Sequence, residues 1–261
     1  LLAFNINPSA NASAESIQLA KSPRKALVIG NKNYLPPGGP LFNPINDAAG
    51  MKSKLEKMGF AVTMVSDGKY ADMLFKINEY INSIQPGDIS LFFYSGHGNQ
   101  NQGVNYIYSI DNNGIAINPI MQRLLDKKVL ANITIIDACR VTNNPKDKGF
   151  AAQGAGLNSF IALAADAGEM SLDGNPKNPK NGMYTAVVLR HIQELNAIND
   201  VFYRVGEEVK ADSMGNQHPI YIDHLQSKLI LASLDSGSSP TTTLASNEQT
   251  IEAFRNKGCS T

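Results

Sequence analysis

The sequence of 261 residues lacks several features that would each indicate a particular class of protein. No charge of one sign is in excess, because 23 Lys and Arg residues balance 23 Asp and Glu residues, which argues against general electrostatic binding to nucleic acid or acidic lipid. No apolar run approaches the ~20 residues that a membrane-spanning helix needs. Two cysteines, Cys139 and Cys259, are too few for a disulfide-rich scaffold. A hydrophobic content of 43% instead predicts a globular chain with a sizeable core.

Composition divides the chain into three segments. Residues 1–23 contain Ala12-Ser13-Ala14, which has the small-x-small pattern of a signal peptidase site, so this lead is either a signal-peptide remnant or a disordered segment. Residues 24–234 are predicted to form the folded domain. Residues 235–261 are predicted to be a flexible linker and the start of a downstream region, because 236–243 is rich in Ser and Thr. The location stays open between secreted or periplasmic and cytoplasmic.

Short apolar runs alternate with segments of helical period inside the predicted domain. Strands are expected at 25–30, 60–65, 89–94, 133–137, 160–164 and 219–222. Helices are expected at 45–58, 73–84, 119–125, 184–195 and 201–210, the last with Asp200 as its N-cap. This alternation predicts an α/β layered fold with a mostly parallel sheet, whose functional residues lie in loops at the carboxyl ends of the strands.

Two of these strand ends carry residues with distinctive chemistry. His97 follows the third strand, between Gly96 and Gly98, and Cys139 follows the fourth. If the two strands are neighbours, the imidazole and the thiol lie close together, and such a pair makes a nucleophilic thiolate. Taken alone, His97 also fits a turn residue and Cys139 a small buried hydrophobe. A metal site is not expected, because no second ligand follows at a metal-like spacing.

Several motifs resemble the caspase-like cysteine peptidases, and most closely the bacterial caspase-family proteins and paracaspases. They are SGHG at 95–98, DACR at 137–140, ALVIGN at 26–31 with Tyr34, NDA at 46–48 and NGMYT at 181–185. The sequence departs from the caspase signature Q-A-C-[RQG]-G, because Asp137 replaces the Gln and Val141 the Gly. The resemblance covers about residues 25–231. It implies a three-layer α-β-α sandwich around a mostly parallel six-stranded sheet flanked by helices.

The resemblance also implies roles for individual residues. Cys139 corresponds to the nucleophile and His97 to the general base and acid. The backbone amides of Gly98 and Cys139 correspond to the oxyanion hole. The family needs no third, orienting carboxylate, and none is assigned. No cofactor is expected, and the sequence shows no acidic cluster that would build a calcium site of the kind that metacaspases often need.

Three acids, Asp47, Asp137 and Asp173, match positions that line the pocket for the residue before the scissile bond. In the family, an Asp two residues before the nucleophile accompanies cleavage after Arg or Lys. Because three carboxylates suit the planar fork of a guanidinium, we expect cleavage after Arg, and weaker cleavage after Lys. Each acid also has a simpler reading. Asp47 fits a first-turn helix carboxylate, Asp137 a strand-end turn, and Asp173 a solvated loop residue for whose place Glu169 competes.

The resemblance therefore implies a cysteine endopeptidase acting on proteins or peptides with Arg or Lys before the scissile bond. Alternatives are a catalytically silent scaffold or signalling module, which the presence of both His97 and Cys139 disfavours, and an enzyme acting on non-peptide amides. Self-cleavage near Lys146, Lys148 or residues 177–180 is a further hypothesis. The oligomeric state stays open between a homodimer, which related proteases often form through the edge strand, and a monomer. No nucleic-acid partner is expected.

Overall fold

The structure is a computed structural model that describes residues 22–102, 104–139, 156–166, 168–174 and 177–232. Most of the signal-like lead and the whole of the predicted linker and downstream region, Cys259 included, lie outside the described residues, as do Lys146 and Lys148.

Nine strands and five helices make up the described chain. In chain order they are β1 (Arg24–Gly30), α1 (Pro44–Lys57), β2 (Phe60–Ser66), α2 (Tyr70–Ser83), β3 (Ile89–Ser95), β4 (Gly98–Asn101), β5 (Val104–Tyr108), β6 (Gly114–Ala116), α3 (Ile117–Leu125), β7 (Ala131–Asp137), β8 (Ser159–Leu163), α4 (Met183–His191), α5 (Ile198–Asp212) and β9 (Ile220–Asp223).

Six strands form the main sheet in the order β2-β1-β3-β7-β8-β9. All neighbours are parallel except β9, which runs antiparallel to β8. The prediction of a mostly parallel six-stranded sheet is therefore confirmed. Because β3 and β7 are direct neighbours, the two strands that precede His97 and Cys139 end side by side.

Helices cover both faces of this sheet, which makes three layers. One apolar core packs α1, α4 and α5 against residues such as Val28 and Phe93, and the other packs α2 and α3 against residues such as Leu27 and Phe92. Alternate residues of one strand therefore belong to opposite cores. Strands buried on both faces are continuously apolar, which explains why short apolar runs, rather than an alternating pattern, marked them in the sequence.

Each end of α1 has a local cause. Pro44 stands in its first turn, where the missing N–H is not needed, and Asp47 adds a favourable negative charge near the N-terminus. Lys54 and Lys57 lie in the last turn. Gly59 follows with a φ of +81°, a conformation that ends helices and that glycine adopts without strain.

The prediction that Asp200 caps its helix is wrong. The helix α5 begins at Ile198, Ala197 occupies the N-cap, and Asp200 lies in the first turn. The start of this helix is held by tertiary contact, because the Ile198 amide donates to the Leu229 carbonyl 2.8 Å away. Asp200 still favours the helix through its charge near the N-terminus.

A second, small sheet was not predicted from the sequence. The strands β4, β5 and β6 pair antiparallel directly after His97. Their residues are mostly Gly, Asn, Gln and Tyr, so no apolar run marks them. Among the described residues, no helix has the length and apolar character to cross a membrane.

Candidate active site

The candidate site lies where β3 and β7 end side by side. Ser95 and Asp137, the last residues of the two strands, are register partners, and the Gly96 amide donates to the Asp137 carbonyl 3.2 Å away. The loops that follow the two strands therefore start at the same edge of the sheet. His97 and Cys139 line one cleft at this edge.

The imidazole of His97 is half-buried and held by a backbone carbonyl. Its Nε2 lies 2.8 Å from the carbonyl oxygen of Gly39. A carbonyl oxygen can only accept, so Nε2 carries the proton and Nδ1 is the basic nitrogen of the neutral ring. Burial lowers the pKa of His97 below its ordinary value, and the bond to Gly39 opposes this only in part. A neutral imidazole of this kind can accept a proton from a thiol.

Two buried tyrosines hold the backbone of His97. The Tyr34 hydroxyl accepts a hydrogen bond from the His97 amide at 2.8 Å, and the Tyr94 hydroxyl donates to the His97 carbonyl at 2.7 Å. The Tyr34 ring also packs against the imidazole, with 4.3 Å between the ring centroids. Gly96 permits this approach, because a Cβ there would lie 2.4 Å from the Tyr34 hydroxyl oxygen. The fold itself therefore positions the imidazole.

Cys139 is 6% exposed and packs against the main chain of Ser171. The Ser171 amide donates to Cys139 Sγ at 3.4 Å, a contact that stabilises negative charge on the sulfur, and the Ser171 carbonyl oxygen, 3.7 Å from Sγ, can accept from the thiol. Gly98 approaches the same segment closely, because a Cβ on it would lie 2.8 Å from the Ala138 Cβ and 3.2 Å from the Cys139 carbonyl oxygen. The backbones of Gly98 and Cys139, the two residues expected to supply oxyanion-hole amides, therefore lie next to each other.

Asp47 is buried at the start of α1, with 1% of its surface exposed. Its Oδ1 accepts hydrogen bonds from the Asn181 side chain at 2.9 Å and from the Gly182 amide at 3.0 Å. Its Oδ2 accepts from the Ser95 hydroxyl at 2.9 Å. Asp47 therefore lines the cleft, although its place in the first turn of α1 also fits a carboxylate that stabilises the helix.

Asp137 is buried at the end of β7 and also lines the cleft. Its Oδ1 accepts from the Ser171 hydroxyl at 2.6 Å. Its Oδ2 accepts from Thr185, through the hydroxyl at 2.6 Å and the amide at 3.1 Å. Three donors to one buried carboxylate are the arrangement that a buried charge requires.

Burial raises the pKa of both carboxyl groups. The pKa of Asp47 lies well above its ordinary value, chiefly because of desolvation and then because of the negative charge of Asp137. Desolvation raises the pKa of Asp137 too, against the hydrogen bonds from Ser171 and Thr185. Over the part of the chain that the structure describes, no Lys or Arg side chain pairs with either acid. The pair therefore has a deficit of positive charge.

Asp173 is the third acid of the cleft, and it is half-buried. Its carboxylate accepts from the backbone amides of Phe42 and Asn43, the latter at 3.1 Å. Burial raises its pKa to about 6 although these amides favour the charged form. Glu169, which competed for this place in the sequence, instead lies 2.9 Å from His218 Nδ1.

Sequence reasoning missed most of the groups that hold the cleft together. Gly39, Ser171 and Thr185 come from three separate segments, and no motif marks Gly39 or Ser171 as a partner of His97, Cys139 or Asp137. Tyr94 is a fully buried core residue whose hydroxyl also binds the backbone of His97. Thr185 belongs to the NGMYT stretch, which was the one available signal.

The cleft combines an imidazole, the sulfur of Cys139 and three carboxyl groups. Cys139 is disulfide-bonded in this structure, so its thiol is available only after reduction. Nowhere in the described ranges do three or more His, Cys, Asp or Glu side chains form a group that could hold a metal ion. Once Cys139 is reduced, the residues of the cleft can support nucleophilic attack by sulfur assisted by an imidazole, next to a pocket lined by three carboxyl groups.

Two comparisons relate this chain to known proteins. The family model of the caspase domain, peptidase family C14, matches residues 23–230. The human mucosa-associated lymphoid tissue lymphoma translocation protein 1 is 27% identical over 136 residues, which cover 49% of this chain and 16% of that protein. Its mouse homologue is 26% identical over 136 residues with the same coverage. The match thus spans about a sixth of the length of these curated relatives.

Proposed function

The chain belongs to the caspase domain family of cysteine peptidases, and we propose that it is an endopeptidase that uses a Cys139–His97 dyad to cleave after arginine and, less efficiently, after lysine. The family supplies the general class of reaction, and proteins or peptides as substrates. The assignment of the dyad and of the preferred residue rests on the cleft.

In the proposed mechanism, His97 Nδ1 accepts the proton of the Cys139 thiol and Sγ attacks the carbonyl carbon of the scissile bond. The carbonyl oxygen becomes an oxyanion, which the amides of Gly98 and Cys139 stabilise. Collapse of this intermediate breaks the C–N bond, and the leaving amine takes the proton from His97. Water, deprotonated by His97, then hydrolyses the thioester and restores the thiol.

The single observation that supports arginine preference is the buried pair of Asp47 and Asp137. Two buried carboxyl groups without a basic partner among the described residues make an unfavourable arrangement that a cation would relieve. Asp173 lines the same cleft and adds a third acid. A guanidinium, with five donors in a rigid fork, can satisfy several of these oxygens at once, whereas an ammonium offers a single charged point.

The test is hydrolysis of matched fluorogenic peptides that end in Arg, Lys or Asp, in the presence of a reductant. We expect Arg to be cleaved fastest, Lys more slowly and Asp not at all, and we expect Cys139→Ala to lose the activity. Cleavage after Asp would keep the nucleophile but contradict the proposed pocket. A folded wild-type protein that cleaves none of the three would instead favour a catalytically silent scaffold.

We also propose that the domain forms a homodimer through β9. This strand is an edge of the main sheet and runs antiparallel to β8. Edge strands present unpaired backbone groups to a second chain. The His224 amide donates to the Ser159 carbonyl in β8, so by strand alternation the Tyr221 amide faces the open edge. Sedimentation of the wild-type protein and of Tyr221→Pro tests this proposal, since proline removes that outward backbone donor. A wild-type protein that sediments as a monomer at all concentrations would contradict it.

A further inference from the structure

Gln217 is a fully buried glutamine in the loop between α5 and β9, with 0% of its surface exposed. It does not line the cleft and takes no part in the chemistry described above. Its backbone is held in place, because its amide donates to the Ser213 hydroxyl at 3.1 Å. Its side chain reaches across to the segment that contacts Cys139.

The side-chain amide of Gln217 uses both of its polar atoms. Its Oε1 accepts from the Leu172 amide at 3.1 Å. Its Nε2 donates to the Ala164 carbonyl at 2.8 Å and to the Ser171 hydroxyl oxygen at 3.3 Å. Only one orientation of the amide fits these partners, because the reverse would set donor against donor at Leu172 and acceptor against acceptor at Ala164.

Ser171 connects the Gln217 amide to the cleft by hydrogen bonds. A hydroxyl has one hydrogen, and because Gln217 donates to Ser171 Oγ, that hydrogen is directed to Asp137 Oδ1 at 2.6 Å. The main chain of the same residue donates to Cys139 Sγ. Ser171 therefore contacts both Cys139 Sγ and the Asp137 carboxylate, and Gln217 donates a hydrogen bond to the hydroxyl of that serine.

We propose that Gln217 is a positioning residue of the peptidase, which holds Ser171 and Leu172 so that the Cys139 thiol and the Asp137 carboxylate keep their relative places. The inference rests on the proposed function for its effect on catalysis. Without the amide, the Leu172 N–H and the Ala164 carbonyl lose buried partners, and the segment is free to shift away from the sulfur.

The experiment is a double-mutant cycle with Gln217→Met, which keeps the volume but removes the three hydrogen bonds, and Ser171→Ala. We expect each single change to lower kcat/KM for an Arg peptide by about tenfold or more. We expect kcat/KM of the double variant to lie within about twofold of that of the less active single variant, because both changes break the same chain of contacts.

Gln217→Met should both raise KM and lower kcat, because Ser171 touches the pocket acid as well as the sulfur. An unfolded fraction would lower kcat alone and leave KM unchanged, so a change confined to kcat contradicts the inference. The control is Tyr80→Phe, which removes a buried hydroxyl bonded to Ser90 and to the Leu91 carbonyl at the opposite end of the strands. We expect it to lose stability but to keep kcat/KM within about twofold.

A second measurement does not depend on peptidase activity. In a Cys259→Ser background, after reduction, Cys139 is the sole cysteine and its alkylation by iodoacetamide can be timed at pH 7. We expect Gln217→Met to slow this reaction about threefold or more, because the Ser171 amide that favours the thiolate is displaced. An alkylation rate of Gln217→Met equal to or above that of the parent overturns the inference. A double variant whose loss of kcat/KM is the product of the two single losses overturns it too. If the parent cleaves no Arg peptide, the proposed function fails, and the alkylation rates still decide the role of Gln217.

Discussion

Asp47 and Asp137 lie next to the same glycine, so that a Cβ on Gly182 would be 3.2 Å from Oδ2 of each carboxylate. The two acids belong to α1 and β7, which are far apart in the sequence, and Gly182, the N-cap of α4, lies close to both. The absence of a side chain at this position leaves the space between the acids open.

We expect Gly182→Ala to narrow this space without disturbing the backbone. Gly182 has a φ of −57° and a ψ of 156°, which alanine adopts freely, so the added methyl group acts by its volume alone. The predicted result is a fall of about 10- to 100-fold in kcat/KM for Arg peptides, mostly through KM. Steady-state kinetics check this prediction, with Gly206→Ala as a control at a glycine whose Cβ would meet nothing closer than 3.8 Å.

Asp47→Asn should weaken catalysis and strengthen the fold at the same time. The amide keeps an oxygen for Asn181 and Gly182, and the Ser95 hydroxyl can turn to accept from the new NH₂. We expect kcat/KM for Arg peptides to fall by about 100-fold, since a charged partner of the substrate is lost.

The stability effect follows from the raised pKa of Asp47. The folded protein binds this proton more tightly than the unfolded chain, so the free energy of unfolding falls as the pH rises above the ordinary carboxyl pKa of about 4. Asp47→Asn removes this penalty, and we expect a gain in urea stability at pH 8 that disappears near pH 4. Asp72→Asn, on the exposed first turn of α2, is the control and should give no gain at pH 8. A loss of stability at both pH values would count against the prediction.

The ionisation of Asp173 should make the affinity for an Arg-terminated peptide depend on pH. Because the pKa of Asp173 is raised to about 6, its charge is lost as the pH falls through that value, and attraction for a guanidinium is lost with it. We expect the Kd of an Arg-terminated peptide for Cys139→Ala protein to decrease several-fold between pH 5 and pH 7. Calorimetry with Cys139→Ala and with Cys139→Ala/Asp173→Asn checks this, and an equal pH dependence in both would refute it.

Tyr34→Phe should impair the imidazole more than the pocket. The change removes the hydroxyl that accepts from the His97 amide and leaves that amide without its partner, while the ring contact with the imidazole remains. We expect kcat to fall by about tenfold with little change in KM, and the free energy of unfolding to fall by about 1–3 kcal/mol. Activity assays and urea unfolding of Tyr34→Phe and Tyr80→Phe separate the effect on catalysis from the effect on stability. Both variants should lose stability, but only Tyr34→Phe should change kcat.

The positions of the strands could be predicted from the sequence to the extent that local pattern encodes them. Apolar runs marked the four central strands β1, β3, β7 and β8 because these are buried on both faces, and shorter apolar stretches marked the partly exposed edge strands β2 and β9. The small sheet β4-β5-β6 escaped prediction because its polar residues leave no such mark. Asp200 was assigned the wrong position because a contact from Leu229 holds the start of its helix, and no local propensity reports such a contact.

The sequence by itself determined the α/β class and the place of His97 and Cys139 at strand ends, because these depend on period and on residues next to each other in the chain. Its resemblance to the caspase-like peptidases implied the three candidate pocket acids. The tertiary structure alone decided which acids are buried together, which carbonyl holds the imidazole and how Gln217 and Ser171 reach Cys139. These contacts join segments more than forty residues apart in most cases, and the burial that shifts their pKa values is a property of the packed core rather than of any stretch of sequence.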